Sequence, residues 1–349
     1  MRRYEKFVFE AEKGITFKVS EGTSGELIVK ACKQLSITSK NVISELPTVS
    51  AGKYAEVLSV YTDNDGNQAV VPSGWTVSGV SKENTIWGKD VSVVIYCIPK
   101  EKVYDIDWTN PDEVETLQRT YDQLVWTPAN LLEANGTLDG VSFTEKFGRR
   151  NFRNEEFSES EYHEPLTGEL ALQKESVDKY DGYYSTRYDI SQDEETGKPR
   201  SIKGAAPWTN IDYPTMHKIG SIIFKSETIT SHLMYGAEYD TREEWVIETK
   251  AKTLDEIAKD STKWGNYWNT NGAPKKVVKT GSREEWCANN IYDFTGNVDE
   301  WTQEQSKSSY RVIRGGGYDG DGDDCPAGCR SFYNPLLVFQ HWFSCHALY

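Results

Sequence analysis

The residues of this chain with the most evident chemistry crowd toward its end. Residues 318–349 hold four aspartates, three cysteines and two histidines: Asp319, Asp321, Asp323, Asp324, Cys325, Cys329, Cys345, His341 and His346. Alternating aspartates can open a calcium loop, because that ion takes oxygen ligands. An EF-hand then needs glycine at its sixth position and glutamate at its twelfth. Those positions hold Asp324 and Arg330, so the pattern fails. Cys325 and Cys329 form a C-x-x-x-C pair with no second pair and no histidine pair at zinc-finger spacing, which argues against structural zinc. The six cysteines of the chain are irregularly spaced, unlike a small disulfide framework. Its five histidines show no ligand spacing.

Composition narrows the function classes. The chain has 349 residues and a net charge of −15, from 39 Lys plus Arg against 54 Asp plus Glu. That balance would repel phosphates and anionic lipid, so nucleic-acid binding and membrane docking are not expected. No run of apolar residues is long enough to span a bilayer. The start, MRRYEKFVFEAEKG, lacks an apolar signal core, so no signal peptide is read there. Aromatic residues make up 12% of the chain, which with many glycines suggests a loop-rich α+β protein.

The elements that must position the tail divide at about residue 104. Residues 1–104 carry short β-branched and aromatic runs: Phe7–Glu10, Ile15–Val19, Glu26–Lys30, Tyr54–Tyr61 and Val91–Tyr96. Turn signals separate them, and a small all-β attachment or structural domain is expected. Residues 105–349 form the second expected domain. Asn110-Pro111 is a helix start, followed by an apolar face of Val114, Leu117, Tyr121 and Leu124. The polar stretch 147–165 reads as a loop. Tyr183–Ile190 reads as an alternating strand, and Thr215–Lys225 as a helix with Met216, Ile219 and Ile223 on one side. Thr241-Arg-Glu-Glu244 and Ser282-Arg-Glu-Glu285 both fit the capping-box pattern of a helix start.

The most specific segments are Asn290–Thr302, containing Gly296-Asn297-Val-Asp-Glu300-Trp301, and Arg311–Tyr318, containing Arg314-Gly315-Gly316-Gly317. Gly296-Asn297 is a tight-turn dipeptide, and the glycine run permits close backbone approach. In a strand, Glu300 and Trp301 would point to opposite sides. The two segments resemble the G-N-V-x-E-W and R-G-G-S-[WY] motifs of the formylglycine-generating-enzyme branch of the C-type lectin fold, with Gly317 in place of serine. Weaker likenesses at Tyr183–Ile190, 207–212 and 236–245 extend the resemblance over about 108–349. The resemblance also implies an option of calcium near the turn, at Asn297 and Glu300.

The tail resembles the variable region of target proteins of diversity-generating retroelements, which use that fold. Arg314–Tyr318, Gly322, Pro326-Ala327, Arg330, Pro335 and Ala347–Tyr349 occupy the family's fixed positions. The residues between them are then the varied ligand-binding set: Asp319, Gly320, Asp321, Asp323, Asp324, Cys325, Cys329, Ser331, Phe332, Tyr333, Asn334, Leu337, Val338, Phe339 and His341. Mutagenesis of adenines in AAC codons, as the family implies, gives NNC codons, which cannot encode Lys, Glu or Met. Residues 311–349 contain none of the three. NNC equally excludes Gln and Trp, so Gln340 and Trp342 are exceptions that would have to be fixed or differently encoded.

The expectation is a non-enzymatic, diversified binding protein without a required cofactor. Its ligand would be a cell-surface protein or glycan. A phage-tail or host-surface location follows from the resemblance, with other tail proteins as further partners and the oligomeric state open. The alternatives are a formylglycine-generating-type oxidase and a non-variable structural virion protein. The oxidase would need a C-x-x-x-x-C copper pair soon after the glycine run, and the spacing here differs.

Overall fold

The computed structural model describes residues 15–21, 27–33, 56–62, 68–72, 92–98, 110–129, 137–138, 141–142, 147–153, 162–163, 168–180, 182–223, 230–306 and 309–336. It is an α+β protein. The first strands are β1 (Ile15–Glu21), β2 (Leu27–Lys33), β3 (Glu56–Thr62), β4 (Gln68–Pro72) and β5 (Ser92–Ile98). Helix α1 (Pro111–Thr120) leads into β6 (Gln123–Pro128), β7 (Thr137–Leu138), β8 (Val141–Ser142) and β9 (Tyr162–His163). Helix α2 (Gly168–Tyr180) precedes β10 (Gly182–Thr186), β11 (Ser191–Gln192) and β12 (Pro199–Arg200). Three helices follow: α3 (Tyr213–Gly220), α4 (Gly236–Glu248) and α5 (Leu254–Ala258). The last strands are β13 (Cys287–Ala288), β14 (Ile291–Tyr292), β15 (Glu300–Ser306), β16 (Tyr310–Arg314) and β17 (Ser331–Tyr333).

Two sheets carry the architecture. One has the order β10-β6-β5-β3-β4 and the other β17-β16-β15-β9. β5 pairs antiparallel with both β3 and β6, so residue 104 falls between neighbouring strands of one sheet. Val94 and Tyr96 are each 1% exposed and pack in the same apolar cluster as Trp245, Ile257 and Phe294. The Tyr96 hydroxyl also accepts from Arg187, at 3.2 Å. Burial of these side chains ties β5 to the core of the region that follows it.

Several local expectations change in the folded chain. Asn110 caps α1 as its sequence suggests, accepting from Asp112 N at 3.1 Å. The helix ends at Thr120, so Leu124 lies in β6 and not on the helical face. α3 starts and stops earlier than the apolar spacing suggests, with Ile223 packed beyond its end. β10 shows no alternation in burial, because both its faces are covered. Neither expected capping box forms. Thr241 lies inside α4, where its hydroxyl donates to Ala237 O at 2.6 Å. The helix begins about one and two-thirds turns upstream, where Glu238 accepts from Tyr235 N at 2.8 Å. Ser282 turns its hydroxyl back to Lys279 O, ahead of a single 3₁₀ turn at Glu284–Trp286. A capping box does form at Thr253 and Glu256, at the start of α5.

Tyr96→Ala removes a buried ring from the shared core and should cost about 3 kcal/mol or more. Urea unfolding followed by tryptophan fluorescence should show one transition moved to lower urea. An unmoved main transition would mean that β5 is not part of that core.

Candidate functional site

β16 and β17 are antiparallel neighbours, and residues 315–330 bridge them as one long excursion. The conformation of that excursion is set at its two ends. Arg314 closes β16 with its side chain fully buried, donating to Asp240 Oδ1 at 2.8 Å and Glu243 Oε2 at 2.7 Å. Its guanidinium lies 4.2 Å from the centre of the Tyr239 ring. Arg330 precedes β17 and donates to both oxygens of Glu304, at 3.0 and 3.1 Å, and to the other oxygen of Asp240. Asp240 therefore grips both ends of the excursion.

Asp240 can do so because α4 is buried along twelve consecutive residues, Gly236 to Ile247. Five of them are charged, and each has a built partner. Glu238 receives His232 and Tyr235, and Arg242 faces Glu300 at 3.4 Å while lying over the Phe294 ring. Glu244 receives Arg150 at 2.7 Å, and the Arg150 backbone N–H donates to Asp240 at 2.7 Å. Arg150 sits in the stretch 147–165 that its polarity marks as a loop. Phe147 and Phe152 are buried beside it, so the described start of that stretch packs into the interior. Burial by itself would raise the Asp240 carboxyl, but the Arg330 and Arg314 charges more than offset this and hold it below the ordinary aspartate range. Burial pushes Glu243 up to about 8, with Arg314 opposing.

The turn beneath the excursion is equally committed. Gly296 and Asn297 both adopt left-handed backbone, with φ of 73° and 67°. A side chain at Gly296 would meet Asn266 N at 2.5 Å. The Asn297 side-chain oxygen accepts from Val278 N at 2.9 Å and Asn266 Nδ2 at 3.1 Å. Trp301 donates to Ile211 O and packs against Tyr213, while Glu300 faces Arg242. The two thus serve opposite sides of β15. These residues do not fit calcium. The Asn297 oxygen already holds two N–H donors, Glu300 faces a guanidinium, and no metal-binding group of three or more His, Cys, Asp or Glu occurs among the described residues.

Gly316, at φ 73°, needs its missing side chain: a Cβ would lie 2.8 Å from Cys325 O and 2.9 Å from the Tyr267 ring. The Tyr267 hydroxyl bridges three segments of the turn region, within hydrogen-bond reach of Gly315 O at 2.7 Å, Cys325 O at 3.1 Å and the Thr295 hydroxyl. Gly317 stands over the buried Asp299, whose Oδ2 has no hydrogen-bond partner in the described structure. Burial, with Asp319 and Cys329 adding, pushes the Asp299 carboxyl well above its ordinary range.

On this frame the expected tail residues separate by exposure. Asp319, Asp323, Asp324, Phe332 and Asn334 are exposed. Gly320, Asp321, Cys325, Cys329, Ser331 and Tyr333 are half-buried. Gly315, Gly316, Gly317, Gly322, Pro326 and Ala327 are buried, and the Arg330 side chain is only 6% exposed. Leu337, Val338, Phe339 and His341 lie outside the described residues. Phe332 meets Tyr310 edge-on at 5.8 Å, and both rings are open to solvent. The 260–270 loop also borders this surface. Trp268 N donates to Gly320 O at 2.9 Å, and Asn269 binds Gly322 N and Asp323. The Trp268 side chain is half exposed. Nothing in the sequence spacing brings Trp268 to the tail.

No family model matches the chain, and no curated protein matches its sequence. Among solved structures it is similar to Treponema denticola variable protein 1, with a TM-score of 0.34 and 16% identity over 48% of this chain and 84% of that one. It is also similar to PvdO from Pseudomonas aeruginosa, with a TM-score of 0.35 and 14% identity over 48% of this chain and 80% of that one.

Asp240→Ala would leave Arg314 and Arg330 buried without their shared partner. A loss of about 3–5 kcal/mol is expected in denaturant unfolding, with Asp240→Asn recovering only part of it. A second expectation concerns pH. Burial pushes Asp293 up to about 7, with the Glu300 charge adding and the Gly281 N–H opposing. The folded state then holds a proton that the unfolded chain releases near pH 4, so stability falls as pH rises from about 4 to about 7. Asp293→Asn should flatten the thermal-unfolding profile across that window. An unchanged slope would show that Asp293 does not titrate there.

Proposed function

We propose that this chain is a diversified ligand-binding protein with a C-type lectin type of scaffold. The observation that carries the reading is the division of residues 314–336. Every described position expected to vary is exposed or half-buried. Of the positions expected to stay fixed, the glycines, Pro326 and Ala327 are buried, Arg314 and the Arg330 side chain are buried with them, and Tyr318 and Pro335 are half-buried. A surface that must accept many sequences needs such a division, because substitutions at exposed sites leave stability nearly unchanged while buried ones do not.

The displayed residues suit protein or glycan recognition. Tyr310 and Phe332 offer rigid aromatic area, and Asp319, Asp323 and Asp324 add exposed acid from the excursion. A neutral or basic patch on a cell-surface partner would complement them. A place on a phage tail, or on a host cell surface, is part of the same proposal. So is a role in binding and not in catalysis. No helix among the described residues is long and apolar enough to cross a membrane.

The test is nucleotide sequence. A near-identical copy of the codons for residues 311–349 should lie beside a reverse-transcriptase gene, differing only where that copy has adenine. Its differences should fall at Asp319, Asp321, Asp323, Asp324, Phe332 and Asn334 and spare Gly316, Pro326 and Ala327. Absence of the copy would favour a non-variable structural protein. The protein-level counterpart is stability. Asp323→Ala should change unfolding free energy by no more than about 0.5 kcal/mol. Gly316→Ala should cost several times that, because it meets backbone at left-handed φ.

A further inference from the structure

The excursion carries a pair of cysteines among the positions expected to vary. Cys325 and Cys329 are both free and half-buried. Their sulfurs lie 3.6 and 3.8 Å from the same Ser331 hydroxyl, which brings both thiols to one oxygen. A turn fixes their spacing, with Cys329 N donating to Pro326 O at 2.9 Å. Pro326, Ala327 and Gly328 between them are buried, and Gly328 N is anchored to Ile257 O at 2.8 Å. The pair therefore flanks a turn whose backbone is anchored to α5.

We propose that Cys325 and Cys329 form a thiol–disulfide exchange site for low-molecular-weight disulfides, with Cys329 the attacking thiol and Cys325 the resolving one. The Cys329 thiolate attacks one sulfur of the small disulfide, forms a mixed disulfide and expels the other half as a thiolate. Cys325 then gives up its proton and attacks Cys329 Sγ. The Cys325–Cys329 bond forms, and the second half leaves as a thiolate. The protein loses two electrons and two protons, and the small disulfide becomes two thiols.

The environment separates the two roles. The neighbouring Cys325 thiol is the largest influence on Cys329; with Ser331, Arg153 and Arg314 it outweighs burial and brings Cys329 down to about 7. Cys325, beside Cys329 and Asp299, is pushed up. A thiolate is the attacking species, and a thiol near neutral pKa attacks about threefold faster at pH 7 than an ordinary one, after its weaker nucleophilicity is counted. The other cysteines with described side chains contrast with it: burial first pushes Cys287 up to about 12 and Cys97 higher still. Closure would lock residues 325–329 within the displayed surface, so the site bears on ligand recognition but does not depend on it.

The experiment treats the intact folded chain with oxidised glutathione at neutral pH, quenches with acid and maps cysteine peptides by mass. The expected peptide carries both Cys325 and Cys329, lacks two hydrogen atoms and resists alkylation, while Cys97 and Cys287 remain alkylatable. Cys325→Ser should trap glutathione on Cys329, and Cys329→Ser should accumulate less than a third as much adduct on Cys325. Both thiols remaining free in the wild-type chain, or the same bond forming no faster folded than in urea, would overturn the proposal. Equal adduct in the two variants would overturn the assigned roles. The wild-type comparison needs neither variant to fold.

Discussion

One carboxylate holds the displayed surface in place. Asp240 binds Arg314 through one oxygen and Arg330 through the other, and it also accepts the Arg150 backbone N–H. Fifteen residues lie between Arg314 and Arg330 along the chain, and their exposed part has little apolar packing of its own. Fixing both ends on one buried helix keeps the entropy cost of a long excursion small and makes its middle tolerant of change.

This arrangement explains why α4 is buried despite its charge. Desolvating five charged side chains is costly, and each is offset by an opposite charge or by several hydrogen bonds. The pairing is directional, so it also selects geometry. β16 and β17 are placed so that both guanidiniums reach the same aspartate, while Glu243 also accepts from Arg314 and Glu304 from Arg330. The glycines complete the frame from the other side. Gly296 and Gly316 lie against Asn266 and Tyr267, where any side chain would collide with backbone or a buried ring. Tight backbone contact and buried ion pairs together hold the frame without relying on the burial of the exposed residues between them.

Parts of this were legible without coordinates, and parts could not have been. The turn at Gly296-Asn297, the opposed roles of Glu300 and Trp301 and the helix start at Asn110 follow from short-range spacing. Local geometry is enough to specify them. The reading of Thr241 and Glu244 as a capping box failed because the same four-residue spacing also occurs inside a helix, where it places side chains on neighbouring turns. Stretch 147–165 looked like a solvated loop because charge usually marks exposure. Arg150 is the exception that pairing permits.

The sequence alone determined an α+β chain, an ordered pair of turn motifs and a tail in which small, buried positions alternate with displayed ones. Those properties are local: they depend on backbone freedom, residue size and spacing. Tertiary structure alone decided that β5 joins the sheet of β6, that Trp268 borders the tail and that Arg150, Arg314 and Arg330 converge on α4. Each of those contacts brings together residues tens to nearly two hundred positions apart. Charge pairing across such distances leaves no periodic trace in the chain, because any carboxylate and any guanidinium can meet once folding has excluded the water between them.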